Sequence, residues 1–229
     1  MQIFFKKNIA NSVSILNLFL GFIAIILMSL SFIDLNSQSS LKTACLLIFL
    51  AAIVDVFDGK IARKLGTSGN FGKEIDSLAD LVSFCLAPSL LIFTYYYDLI
   101  DFNKNYLIIL SSLPLLCGAI RLADFNSNST QSNLNYYLGL PTPSNALFIC
   151  SSILFMFNMD FLVIESEISN LFLFLNNNQP NQLFIFTVMK YPFSFLFSIS
   201  HYSIIILCST TSLLLLSNIH FSKFPMLKY

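Results

Sequence analysis

The chain has 229 residues, of which 56% are hydrophobic and only 10% are charged, and its 12 basic residues balance its 12 acidic ones. A soluble domain of this size carries about a quarter charged residues, so this composition excludes an ordinary water-exposed surface. The mean hydropathy of +0.76 and the zero net charge predict a membrane protein with no nucleic-acid partner.

Six apolar blocks each have about the length of a membrane-spanning helix. They cover approximately residues 12–33, 41–62, 74–97, 105–124, 142–164 and 199–219. We therefore expect an all-α, polytopic membrane protein that forms one domain over residues 1–229. Lys6 and Lys7 precede the first block as in a signal peptide, but this block is long enough to span and we expect a retained helix.

Residues 165–192 interrupt the pattern between the fifth and sixth blocks. They contain the apolar run LFLFL, the polar run NNNQPNQ and the apolar run LFIFTVMKYP. Each apolar run is short for a crossing, which favours an interfacial or re-entrant segment over a seventh span.

The distribution of basic residues predicts the orientation. With the N-terminus inside, 9 of the 12 lie on the cytoplasmic side, as the positive-inside rule expects. The inside set is Lys6, Lys7, Lys60, Arg63, Lys64, Lys73, Arg121, Lys223 and Lys228, and the outside set is Lys42, Lys104 and Lys190. We predict a multi-pass protein of the cell (inner) membrane, with residues 55–80, Arg121 and 139–145 at the cytoplasmic face.

The cysteine and histidine residues carry no metal-binding pattern. Each of the five cysteines lies in an apolar segment and none forms a Cys-x-x-Cys pair, so we expect buried free thiols. They are Cys45, Cys85, Cys117, Cys150 and Cys208. His201 and His220 are distant in sequence from each other and from the aspartates, which argues against a zinc site.

The charge-rich stretch DVFDGKIARKLGTSGNFGKEIDSLAD joins the second and third blocks. Asp55 and Asp58 are three residues apart near the end of the second helix, so they share a helical face. Asp76 and Asp80 are four residues apart in the third helix and also share a face. A glycine-containing turn over residues 64–72 would bring the four carboxylates into one pocket.

Four carboxylates this close cannot all be ionised without cations between them. Their oxygen-only ligand set suits Mg²⁺ or Mn²⁺ rather than zinc, and two such ions would polarise a phosphoryl group. Gly59 and Ala62 lack bulk, so a nucleotide could approach this helix, and Arg63 offers a guanidinium fork for phosphate. Interfacial salt bridges to nearby lysines are the alternative, but they would not need four aligned acids.

The stretch resembles the signature of the CDP-alcohol phosphatidyltransferase family, D-x-x-D-G-x-x-A-R, eight residues, then G-x-x-x-D-x-x-x-D. The matching residues keep every spacing: Asp55, Asp58, Gly59, Ala62, Arg63, Gly72, Asp76 and Asp80. The resemblance implies a six-helix membrane enzyme, usually a homodimer, that uses two divalent metal ions. It would move a phosphatidyl group from a CDP-linked lipid to an alcohol and release CMP. Asp55, Asp58 and Asp76 would be metal ligands, and Asp80 both a ligand and the general base.

Further segments resemble the bacterial phosphatidylserine synthase branch of this family. They are NSVSILNLFLGF, SLADLVSFCLAPSLL, GAIRLADFN and GLPTPSNA. The branch implies that Asn11, Ser14 and Asn17 line the nucleotide side of the first helix. Gly69 stands where a hydroxyl residue is usual, and Ser68 beside it would supply that hydroxyl. Residues 165–192 have no counterpart in the resemblance and look like an insertion.

The resemblance predicts CDP-diacylglycerol as donor and L-serine as acceptor. The serine carboxylate needs a cation, and Arg121 ends the fourth helix on the active-site face; the alternative is that Arg121 only snorkels to the interface. Asn126 could hydrogen-bond serine nearby. Asp124 stands where this branch more often has a second basic residue.

Other functions give different sequence patterns. Within the family, the acceptor could instead be glycerol 3-phosphate or inositol. A phosphorylated acceptor would require several positively charged side chains near the pocket, where Arg121 is nearly the only one that the sequence predicts. A divalent-cation transporter would carry acids on several helices near the membrane midplane. A purely structural membrane subunit would not need the spacing of the motif.

Overall fold

The computed structural model of the protein describes residues 2–32, 37–65, 70–97, 99, 104–127, 136–157, 201–217 and 220–222. For residues 2–11, 37, 58–65, 70, 136–138 and 220–222 it describes the backbone alone. The predicted insertion at 165–192 lies outside these residues and stays a prediction.

The described chain is helical apart from one short pair of strands, so the all-α prediction is confirmed. The helices are α1 (Gln2–Leu30), α2 (Ser37–Leu65), α3 (Asn70–Asp80), α4 (Ala87–Tyr96), α5 (Lys104–Ser127), α6 (Thr142–Phe157) and α7 (His201–Leu216). A π-helical turn, Leu81–Leu86, joins α3 to α4. Strands β1 (Tyr136–Leu138) and β2 (His220–Ser222) pair antiparallel, which the sequence did not predict.

In the described residues, four helical stretches are long and apolar enough to cross a membrane. They are Ser12–Leu30, Gln38–Phe57, Phe71–Tyr96 and Lys104–Ser127, and they coincide with the first four predicted crossings. The fifth and sixth predicted crossings coincide with α6 and α7, which are apolar but shorter in the described residues. The chain is thus a multi-pass membrane protein, and the total of six crossings stays a prediction.

One face of α1 is buried from Ser14 to Met28 because it packs against α2, α3 and the π turn. Its buried residues recur at helical spacing. The face is polar at its start, with Ser14 and Asn17, and then continues through Gly21, Ala24 and Met28. The polar end of this face therefore lies beside the third membrane helix, at the level of Asp80.

The buried face of α2 consists mainly of small side chains, which let membrane helices approach closely. It runs through Ala44, Ile48 and Ala51, all fully buried. Asp55 lies one turn beyond Ala51 on the same face. The packing of α2 against its neighbours therefore carries this carboxylate toward the interior of the bundle.

The third membrane helix changes its hydrogen bonding between α3 and α4. The amide of Ala87 donates to the carbonyl of Val82, five residues earlier, which is the π-helical pattern. Pro88 follows and has no amide hydrogen, so a regular ladder is interrupted there. The π turn begins directly after Asp80, the residue that the resemblance implies as the general base. It therefore determines the direction in which the helix continues from this residue.

Pro114 lies inside α5, and the residue that follows it is hydrogen-bonded to a side chain of α4. The Leu115 amide, next to the proline, donates to Oγ of the buried Ser89 at 3.0 Å. Such side-chain hydroxyls supply hydrogen-bond partners where proline interrupts a membrane helix. This bond ties α5, which carries Arg121, to the third membrane helix.

The loop before α6 is held by the end of α7. The amide of Leu140 donates to the carbonyl of Leu214 at 3.1 Å. Gly139 has a φ of 73°, and a Cβ there would overlap the carbonyl oxygen of Leu215. Only glycine satisfies both constraints, so this position fixes the entry into α6.

Gly118 of α5 lies directly against Cys85 of the π turn, and a Cβ at Gly118 would overlap its Sγ. We expect Gly118→Ala to destabilise the protein by about 1–3 kcal/mol, because the overpacked helices must separate. Thermal unfolding in detergent should show a lower midpoint. Adding Cys85→Ala should restore only part of the loss, since the Cys85 Cβ is 3.1 Å from the added atom. An unchanged midpoint in the single variant would contradict this packing.

Candidate active site

Three aspartates from two helices form a compact acidic cluster. Asp55 of α2 and Asp76 and Asp80 of α3 each place a carboxylate oxygen within 4.8 Å of the other two. All three side chains are partly buried. Within the described ranges, this is the one group of three or more His, Cys, Asp or Glu side chains with metal-binding spacing.

The acidic cluster follows from the helical geometry. Asp76 and Asp80 are one turn apart on α3, so both point to the same side. Asp55 reaches them from the buried face of α2. The prediction that aspartates of both helices converge is therefore confirmed for three of the four.

The fourth predicted ligand, Asp58, lies on α2 three residues after Asp55, and its side chain is outside the described part of the structure. Gly59, Ala62 and Arg63 lie on the last turns of α2, where the backbone alone is described. For Asn11 on α1, too, the structure describes the backbone alone. Ser68 falls outside the described residues.

The connection between α2 and α3 is shorter than predicted. We expected a turn over residues 64–72, but α2 extends to Leu65 and α3 begins at Asn70. Gly72 therefore lies in the first turn of α3. The three glycines suggested a longer turn because glycine favours turns. Glycine only lowers the stability of a helix and does not exclude one, so Gly72 can lie inside α3.

Asn17 of α1 contacts the acidic cluster directly. Its Nδ2 donates a hydrogen bond of 3.4 Å to Oδ1 of Asp80. Ser14, also buried, lies one turn earlier on the same face. The structure thus brings Asn17 to a cluster carboxylate. The place beside the nucleotide that the resemblance implies for Asn17 stays a prediction.

Arg121 of α5 is partly buried and lies close enough to Asp80 for an electrostatic interaction. Asp80 also interacts with the charges of Asp55 and Asp76. Among the described side chains, the site therefore combines a concentration of negative charge with the positive charge of Arg121 at its side. This arrangement can hold a cation among the carboxylates and an anion beside the guanidinium.

Asn126 lies at the exposed end of α5, where its amide contacts the hydroxyl of Ser77 on α3. The Nδ2 and Oδ1 atoms are 2.9 and 3.1 Å from Ser77 Oγ. Because Ser77 directly follows Asp76, this contact holds α5 beside the acidic cluster. The structure therefore places Asn126 near the cluster, engaged with another helix.

Sequence reasoning missed three residues that build the site. Ser77 contacts Asn126, and Ser83 donates from its Oγ to the carbonyl of Asn17 at 2.9 Å. Gly21 is the third, because a Cβ there would overlap Ser83 Oγ. The available signal was a serine in the otherwise apolar stretch that follows Asp80, since a polar residue buried in a membrane helix is costly without a partner.

The predictions for cysteine are confirmed: all five thiols are free and buried. His201 packs against the rings of Tyr95 and Tyr96, far along the chain from the acidic cluster. The donor set of the acidic cluster is oxygen alone, which fits hard divalent cations. Asp55, Asp76 and Asp80 are therefore able to hold such a cation.

Comparison with known proteins matches the chain to one family. The family model for CDP-alcohol phosphatidyltransferase matches residues 7–176. The CDP-diacylglycerol–serine O-phosphatidyltransferase of Methanocaldococcus jannaschii is 37% identical over 142 residues, which cover 62% of this chain and 58% of that protein. The Helicobacter pylori protein of the same name is 38% identical over 130 residues, covering 57% and 53% of the two chains.

A third relative has a different lipid in its name. The archaetidylserine synthase of Methanothermobacter thermautotrophicus is 38% identical over 140 residues, which cover 60% of this chain and 54% of that protein. The chain thus spans between about half and three fifths of the length of these relatives. Since the family model covers most of the chain, including all four motif aspartates, the protein belongs to the CDP-alcohol phosphatidyltransferase family.

Proposed function

We propose that the protein transfers the phosphatidyl group of CDP-diacylglycerol to the hydroxyl of L-serine, which gives phosphatidylserine and CMP. The observation that carries this proposal is the convergence of Asp55, Asp76 and Asp80 within 4.8 Å in a membrane chain of this family. The names of the relatives share serine as the alcohol and differ in the lipid.

The reaction we propose is a direct displacement at phosphorus. The serine oxygen attacks the phosphorus that carries diacylglycerol, and the bond from this phosphorus to the bridging oxygen of CMP breaks. Asp80 accepts the hydroxyl proton, and CMP leaves with the electrons of the broken bond. Because a serine hydroxyl is a weak nucleophile, positioning and charge neutralisation must supply most of the rate enhancement.

The proposed cofactors are two Mg²⁺ or Mn²⁺ ions held by Asp55, Asp58, Asp76 and Asp80. When bound, such ions would neutralise the diphosphate and the charge that develops on the leaving oxygen. The protein contributes the fixed carboxylate geometry, with Asp55 on the buried face of α2 and the other two described ligands on α3. The partly buried site also limits the access of water.

The remaining motif residues are proposed to bind the CDP-linked donor. Arg63 would pair with the diphosphate, and Gly59 and Ala62 would leave room for the nucleotide against α2. The other proposed donor contacts are Asn11, Ser14, Ser68 and Gly72. Asn17, which was also predicted to contact the donor, donates its hydrogen bond to Asp80. Arg121 would bind the serine carboxylate, and Asn126 would lie at the edge of the acceptor site.

The acceptor is tested with purified protein, CDP-diacylglycerol and Mg²⁺ or Mn²⁺. Serine, glycerol 3-phosphate and inositol are offered separately, and CMP release and the lipid product are measured. We expect CMP release to depend on serine and to yield phosphatidylserine. Release with glycerol 3-phosphate or inositol in place of serine would overturn the choice of acceptor but not the type of reaction.

Removal of divalent cations should abolish the reaction. We expect EDTA to stop CMP release, because clustered carboxylates without cations repel the diphosphate of the donor. Excess Mg²⁺ or Mn²⁺ should restore the rate, whereas Ca²⁺, which prefers longer bonds and more ligands, should restore less. A rate that persists in EDTA would contradict a metal-dependent mechanism.

We further propose that the protein resides in the cell (inner) membrane with its active site facing the cytoplasm. The distribution of 9 basic residues on one side and 3 on the other supports this orientation. The family resemblance supports a homodimer. Cysteine-accessibility labelling from either side of the membrane and cross-linking in the membrane test the two proposals separately.

A further inference from the structure

Two hydrogen bonds connect Asp80 to α1 and to the π turn. Asn17 donates from Nδ2 to Oδ1 of Asp80, and Ser83 donates from Oγ to the carbonyl of Asn17. Asn17 and Ser83 have only 1% and 0% of their surfaces exposed. Burying an amide and a hydroxyl among membrane helices costs free energy unless they are hydrogen-bonded, so these contacts hold α1 in one position.

The position of α1 is fixed further by Gly21, one turn after Asn17. A Cβ on Gly21 would overlap Ser83 Oγ and lie 2.8 Å from the Ser83 Cα. α1 therefore rests on the backbone of the π turn. The π turn begins directly after Asp80. The contact between Gly21 and Ser83 therefore fixes the position of the Asn17 amide relative to the backbone that carries the Asp80 carboxylate.

We propose that Asn17 and Ser83 are positioning residues that fix the orientation of the Asp80 carboxylate relative to Asp55 and Asp76. Asn17 acts on Asp80 directly, and Ser83 acts through Asn17. The kinetic consequence of this role rests on the proposed phosphatidyl transfer. Its consequence for cation binding does not, because it concerns the acidic cluster alone.

The chemistry of the donor supports this role. Rotation of an aspartate carboxylate about its last torsion has broad minima, so an unassisted Asp80 would sample many orientations. A neutral amide restricts this rotation without adding a positive charge that would compete with a bound cation. Residues that orient metal ligands typically change affinity or activity by about 10- to 100-fold when they are replaced.

The assignment predicts a shared effect of two variants on cation binding. Mn²⁺ binding to the purified protein is titrated by electron paramagnetic resonance, which requires no substrate. We expect Asn17→Leu to weaken Mn²⁺ binding by about 10- to 100-fold, and Ser83→Ala to weaken it less. Ser209→Ala is the matched control, because Ser209 is buried and its hydroxyl donates within its own helix, to the carbonyl of Ile205.

Steady-state kinetics separates positioning from nucleotide binding. In both variants we expect kcat to fall while the KM for CDP-diacylglycerol stays within about threefold of the wild-type value, as loss of orientation predicts. A raised KM with unchanged kcat and Mn²⁺ affinity in Asn17→Leu would assign Asn17 to the nucleotide and overturn the proposal. Unchanged kcat and Mn²⁺ affinity in both variants would also overturn it.

Ser83→Ala decides the question if Asn17→Leu does not fold. The carbonyl of Asn17 lies within a continuous helix and keeps its helical partner when the Ser83 hydroxyl is removed, so this variant should fold as Ser209→Ala does. If the wild-type protein releases no CMP with any alcohol, the proposed function fails. The Mn²⁺ titration still decides whether Asn17 and Ser83 position Asp80.

Discussion

Replacing Asp80 with asparagine should lower kcat for CMP release by about 10²- to 10⁴-fold, the usual contribution of a positioned general base. Asparagine keeps the size of the side chain but cannot accept the hydroxyl proton of serine. It also removes one anionic ligand from the acidic cluster. We expect binding of CDP-diacylglycerol, measured by its ability to protect the protein against thermal unfolding, to persist at a high Mg²⁺ concentration.

A matched control for Asp80→Asn is available on the same helix. Glu74 is exposed on α3 and is not part of the acidic cluster, so Glu74→Gln removes one negative charge without touching the site. We expect Glu74→Gln to retain nearly the wild-type rate. Normal turnover in Asp80→Asn would remove Asp80 from the mechanism, and equal losses in both variants would point to a general charge effect.

The sequence predicted the parts of the fold that depend on local patterns. Hydropathy over about 20 residues identifies a membrane helix because the bilayer sets its length. The four spans of the described residues were therefore found, although α1 and α2 extend beyond the apolar blocks. The convergence of Asp55 with Asp76 and Asp80 was found because motif spacing places each carboxylate on a defined helical face.

The contacts around Asp80 could not be predicted in the same way. The π turn at 81–86 and the bond from Ser83 to Asn17 depend on how α1 packs against the third membrane helix. The hydropathy of a span does not encode this packing, because it gives the apolar length of a helix and not the neighbour that each of its faces meets. The resemblance placed Asn17 on the nucleotide side of α1, but it could not show that the amide reaches a carboxylate.

The loop that enters α6 gives a second example. Glycine and proline favour turns, so the stretch GLPTPSN is typical of a turn. Its composition does not indicate the partner that holds the turn. That partner is the end of α7, more than 70 positions later in the chain, where Leu214 accepts from Leu140. The pairing of β1 with β2 lies beside the same contact, and neither strand is long enough to give a recognisable alternation.

Arg121→Ala should raise the KM for serine by about 10- to 150-fold, which corresponds to the loss of about 1.5–3 kcal/mol from a hydrogen bond to a charged group. The KM for CDP-diacylglycerol should change much less. Arg121→Lys tests geometry, because lysine keeps the charge but loses the planar fork that suits a carboxylate. We expect this variant to fall between the wild type and Arg121→Ala.

Ethanolamine makes the test of Arg121 specific, because it is serine without the carboxylate. If Arg121 binds this carboxylate, the wild-type protein should prefer serine strongly, and Arg121→Ala should lose most of that preference by losing activity toward serine alone. Arg121 also interacts with the charge of Asp80, so a role confined to Asp80 would lower turnover of both alcohols equally. Only a direct contact with the carboxylate can distinguish two alcohols that differ by that group. An equal loss of turnover with serine and with ethanolamine would therefore remove Arg121 from the acceptor site and place its function at Asp80.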